Sequence, residues 1–98
     1  MERAELNDAG DLFLILDECY SQDVVVCYKL DNGAEVEFVD DKCVAIVLPM
    51  FTSKINRNIQ QVKLESLDFI DNVAHFNLDI GGQFVNGRVN FSSLNKKL

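Results

Sequence analysis

Ala74-His75-Phe76-Asn77-Leu78-Asp79-Ile80 alternates strictly between apolar and polar side chains. In an extended chain successive side chains point to opposite faces, so Ala74, Phe76, Leu78 and Ile80 share one face while His75, Asn77 and Asp79 share the other. The pattern predicts an antiparallel strand with one face in a core and one in water. The same period recurs at Ala34, Val36 and Phe38 against Glu35 and Glu37.

Working outward, Gly81-Gly82 closes a hairpin onto a last strand, with Val85, Val89 and Phe91 on one face and Asn86, Arg88 and Asn90 on the other. Gly87 falls on the inner face, where a bulge or a close backbone approach is expected. Asp71-Asn72 marks the preceding turn, and Gln61 to Glu65 alternates as a strand before it. Between Thr52 and Val62 the period changes: Ile55, Ile59 and Val62 stand at helical spacing, with Thr52 or Ser53 as cap, so one short helix is placed in the first part of 52–60. Lys54 and Arg57 oppose it at the positive end of the helix dipole.

In the first half, Leu12 to Leu16 and Val44 to Leu48 are continuous apolar runs that read as strands buried on both faces, and Val24 to Leu30 is rich in β-branched and aromatic residues. Asp31-Asn32-Gly33 and Asp40-Asp41-Lys42 supply turns, and Pro49 ends the run before it. The whole predicts a single all-β, mainly antiparallel domain over 1–98: about seven short strands in a meander forming a small barrel or sandwich, with 1–10 and 93–98 frayed.

The 98 residues suffice for one hydrophobic core. Sixteen acidic against nine basic residues give a formal charge of −7, which repels phosphate backbones and anionic membrane surfaces, so neither nucleic acid nor membrane is an expected partner. Cys19, Cys27 and Cys43 form no C-x-x-C pair and no metal-ligand spacing, pointing to a reducing compartment without disulfide or zinc. A polar start and the lack of an apolar run near 20 residues make the cytoplasm the expected location.

Each chemical motif has a plainer explanation. His75, the only histidine, falls on a polar strand face with no nucleophile assigned beside it. Asp40, Asp41, Asp68, Asp71 and Asp79 lack the calcium-loop pattern and read mainly as turn formers. Gly81-Gly82 and Asn86-Gly87 lack the lysine and helix of a phosphate loop. Cys27, Cys43, Phe13, Phe38, Phe76 and Phe91 are expected in the core, with Cys19 more exposed. No enzyme activity and no cofactor is therefore expected. Glu35 and Glu37, joined by Asp17 and Glu18, form a candidate acidic face that suits a cationic protein; the same charges also serve to block edge-to-edge aggregation.

Gly10-Asp11-Leu12-Phe13-Leu14 and Asp40-Asp41-Lys42-Cys43-Val44-Ala45-Ile46-Val47-Leu48 resemble the small bacterial family named domain of unknown function 2283. The likeness covers about half the chain. Ala45-Ile46-Val47 departs from the family's glycine, isoleucine, glutamate, and nothing from Met50 onward has a counterpart. The resemblance implies a bacterial source and a partner-binding role, with no activity attached.

Charge and the lack of a catalytic constellation favour a small acidic, non-enzymatic protein-interaction module. Its partner is another protein, a basic one by charge, or a second copy in a homodimer formed through a strand edge or sheet face. The alternative is a small-ligand-binding β-barrel with the turns Asp31 to Gly33 and Gly81-Gly82 near its mouth.

Overall fold

A computed structural model describes residues 2–18, 22–30, 33–54 and 61–94. Within these, eight strands and one helical turn follow in the order β1 (Arg3–Leu6), β2 (Leu12–Ile15), β3 (Val26–Lys29), β4 (Glu35–Val39), β5 (Lys42–Leu48), α1 (Phe51–Lys54), β6 (Lys63–Ile70), β7 (Val73–Ile80) and β8 (Gln83–Asn90). Every pairing is antiparallel. One sheet has the order β1-β2-β5-β4-β3 and the other β6-β7-β8, and the pair is a sandwich rather than a closed barrel.

Three hairpins are set by two-residue turns. Asp40-Asp41, Asp71-Asn72 and Gly81-Gly82 all have positive φ at both positions, which matches the right-handed twist of the flanking strands. Aspartate and asparagine tolerate this left-handed conformation because their short polar side chains bond locally. The turns fix the registers Val39 opposite Lys42, Ile70 opposite Val73 and Ile80 opposite Gln83.

The core follows the alternation that the sequence predicts. Ala74, Phe76, Leu78 and Ile80 of β7 are buried, as are Val36 and Phe38 of β4. They form one apolar cluster with Leu12, Leu14, Ile46, Val89 and Phe91. The strand order then departs from a simple meander at one place. β3, β4 and β5 are consecutive neighbours, but β2 lies beside β5 and not beside β3. Leu12 to Ile15 is apolar on both faces and gains from a neighbour on each side, whereas β3 carries the exposed residues Val26, Cys27 and Lys29 and stands at the margin.

Several expectations are corrected. Residues 3–6 do not fray: they pair with β2, Ala4 and Leu6 pack against the core, and Arg3 bonds Glu18 at 2.6 Å. The strand expected at 24–30 begins at Val26, with Val24 and Val25 exposed ahead of it. The strand expected at 61–65 runs to Ile70, because a register shift between Leu64 and Ser66 puts Leu64 and Leu67 on one side, opposite Leu78 and Phe76. That bulge breaks the period of two. Cys27 is exposed and Phe13 only half-buried, since both belong to the outer face of the five-stranded sheet. Asn32, Cys19 and the stretch 55–60 lie outside the described residues, as do 95–98.

The helical turn starts at Phe51, one residue before the expected caps, because Phe51 is buried in the core. Its approach is held by the loop before β2: the Met50 N–H donates to Asp11 Oδ1 at 2.9 Å, and the Thr52 N–H to the Gly10 carbonyl at 3.2 Å.

Gly87 sits opposite Phe76 in an unbroken β7-β8 register, so it marks a close approach and not a bulge. A Cβ there would overlap the Phe76 ring. Gly87→Ala is therefore expected to cost about 1–3 kcal/mol by overpacking. Urea denaturation checks this, and adding Phe76→Leu should recover part of the loss; an unchanged midpoint for Gly87→Ala alone would exclude the contact.

Candidate functional site at the acidic margin of the five-stranded sheet

Along β4 the odd positions point away from the core, which brings Glu35 and Glu37 to the outer face. Glu35 lies between Lys29 of β3 and Val47 of β5, and Glu37 between Cys27 and Ala45. Neither glutamate forms a salt bridge among the described residues. Their charges reach Cys27: its thiol pKa is raised first by desolvation and then by Glu35 and Glu37, so the exposed sulfur is held as a thiol. Cys43 is half-buried against the core and is pushed up to about 11, mainly by burial.

Asp17 and Glu18 belong to the same sheet, at the end of β2, across β5 from β4. They follow β2, where Lys42 pairs with Asp17 and Arg3 with Glu18. The four acidic residues thus divide into two pairs. Asp17 and Glu18 are ion-paired with cations, while Glu35 and Glu37 form no ion pair among the described residues and have one lysine, Lys29, across from Glu35.

Sequence reasoning missed the apolar residues at this margin, having assigned Val24 to Leu30 to a regular strand. Val24 is 78% exposed, and Val25 and Val26 are exposed beside it. The run of three valines was the available signal. Between the acidic pairs the outer face is apolar: Phe13 and Ile15 are half-buried, Ala45 and Val47 buried.

The geometry also bears on the barrel expectation. The sheets do not close into a barrel, and the space between them is occupied by the apolar cluster. Gly81 and Gly82 instead line an open cleft of about 570 Å³ with Ala4, Leu6, Val62 and Lys63 at the side where β1 approaches β6. Asp31 lies outside the described residues. His75 sits on the outer face of the smaller sheet between Asp68 and Arg88. Among the described residues no group of three or more histidine, cysteine, aspartate or glutamate side chains is arranged to hold a metal ion, and no helix is long and apolar enough to cross a membrane.

Two measurements test these electrostatics. In a Cys19→Ser background, Cys27 is expected to alkylate more slowly at pH 8 than a free cysteine and to speed up with Glu35→Gln and Glu37→Gln, whereas Cys43 should react only after unfolding. The Asp11 carboxyl is lowered from 3.8 by the Met50 N–H, then by Asn7, and that of Asp17 by hydrogen bonding to Lys42, then to the Glu18 N–H. A depressed folded pKa contributes stability that is complete above the unfolded value and is lost as pH falls through the folded one. Acid denaturation below pH 3.8 should therefore be less steep in Asp11→Asn and Asp17→Asn than in the parent chain.

No protein-family model matches the chain, and the searches of curated proteins and of solved structures gave no match either.

Proposed function

We propose that this chain is a small non-enzymatic interaction module that docks a basic protein segment at the β3-β4 margin. One observation carries the reading: Glu35 and Glu37, which form no ion pair among the described residues although Lys29 stands across from Glu35, share the outer face of a margin at which valines 24–26 are exposed, Val26 on the face of Phe38. Charge steers a cationic partner toward an acidic surface and raises its association rate, while apolar contact supplies affinity that salt does not screen. A net charge of −7 reinforces the attraction over the whole surface. The proposal includes a bacterial setting, as the sequence resemblance of the first half implies, and a cytoplasmic one.

The charges at Asp17 and Glu18 contribute to the general field and not to the contact, because each is already paired. Self-association is the less favoured form of the same reading, since two copies bring like charges together at this margin.

The test is capture by an immobilised chain, compared with Glu35→Lys/Glu37→Lys and with Val24→Ser/Val25→Ser. Capture of basic proteins that weakens with salt and falls about tenfold or more in the charge-reversed variant is the expected result. Charge reversal at Asp17 and Glu18 should weaken capture less. Equal capture by the parent and by the Glu35→Lys/Glu37→Lys chain, or a salt-independent dimer as the sole complex, would overturn the reading.

A further inference from the structure

On the outer face of the three-stranded sheet, His75 of β7 stands directly opposite Arg88 of β8, and Val73 opposite both Asn90 and Ile70. These residues and Asp71 line a cleft of about 570 Å³. Arg88 forms no ion pair among the described residues, although the chain has sixteen acidic residues. Its neighbours explain why: along β8 it is flanked by Asn86 and Asn90, and across the ladder by His75, so none of these positions holds a carboxylate.

Asn90 adds a second donor. Its Oδ1 accepts from the Ser92 N–H at 2.9 Å and from the Ser92 hydroxyl at 2.6 Å, which leaves the amide Nδ2, with its two hydrogens, as the end available to a ligand. Guanidinium, amide and imidazole N–H groups thus come from three adjacent ladder positions. The other side of the cleft is apolar, with Ile70 exposed and Val73 half-buried.

We propose that this cleft binds a small organic oxyanion, its carboxylate or phosphate head on Arg88 and Asn90, with His75 alongside, and its apolar body over Ile70 and Val73. A planar guanidinium presents paired N–H donors that match either head, and charge-assisted bonds of this kind are about twice as strong as neutral ones. Asp71 at the rim opposes an anion and limits affinity; Asp68, on the far side of His75, weakens the local field in the same sense. The site is independent of the β3-β4 margin, which lies on the other sheet.

Because His75 is the only histidine, its imidazole NMR signals assign themselves and report directly on the cleft. The chain is titrated with benzoate, phenyl phosphate and inorganic phosphate. Saturable His75 shifts with benzoate, phenyl phosphate or both are expected, and which of the two binds tighter identifies the preferred head. Inorganic phosphate should bind more weakly than phenyl phosphate for want of the apolar contact. Arg88→Gln should weaken binding about tenfold or more, and Asp71→Asn should tighten it. The Asp71→Asn arm and the ionic-strength dependence of the parent chain keep the test decisive should Arg88→Gln fail to fold. No saturable shift with either aromatic anion, unchanged affinity in a folded Arg88→Gln, or inorganic phosphate binding as tightly as phenyl phosphate would overturn the proposal.

Discussion

Burial of two apolar sheet faces against one another is the constraint on which everything else rests. Leu12, Leu14, Val36, Phe38 and Ile46 come from one sheet and Ala74, Phe76, Leu78 and Val89 from the other, and all are buried in a single cluster. Burying an aliphatic or aromatic side chain of this size contributes about 1.5–3 kcal/mol relative to exposure, so this cluster outweighs any surface ion pair. Once the inner faces are committed, period-two alternation assigns every other side chain to an outer face. Glu35, Glu37, His75 and Arg88 are outward-facing for that reason alone.

The unequal width of the sheets shapes the surface. Five strands face three, and β3 lies at the end of the wider sheet. Its neighbour β4 keeps Val36 and Phe38 buried, and the edge-on contact of Tyr28 with Phe38, at 5.6 Å between ring centroids, ties β3 to the core. Val26 and the two valines before it are nevertheless exposed. The exposed valines and the outward carboxylates of Glu35 and Glu37 at this margin are the basis of the proposed docking of a basic segment, in which apolar contact supplies affinity and charge orientation.

Charge is also partitioned between the two outer faces. On the larger sheet the lysine and arginine of the β2 end neutralise Asp17 and Glu18, leaving net negative charge at β4. On the smaller sheet the ladder Asp68-His75-Arg88 runs from acid to base across three strands, and the basic end stands at the β8 edge. An acidic chain therefore presents a local donor-rich cleft, because ladder register, and not overall composition, decides which charges are neighbours.

Alternation, turn chemistry and length alone determined the class of the fold, the β4, β7 and β8 strands, three of the hairpin turns and the outward placement of Glu35, Glu37 and His75. These are local properties, fixed by the pleat and by residues that tolerate positive φ. Tertiary structure decided what depends on partners distant in sequence. It placed β2 beside β5, drew residues 3–6 into the sheet, exposed Cys27 and turned Phe13 outward. It also extended β6 past a bulge that interrupts its period, ion-paired Asp17 and Glu18 with Lys42 and Arg3, and brought Arg88 beside His75. Pairing and neutralisation are set by which strands meet, and a one-dimensional pattern carries each strand's faces without naming its neighbours.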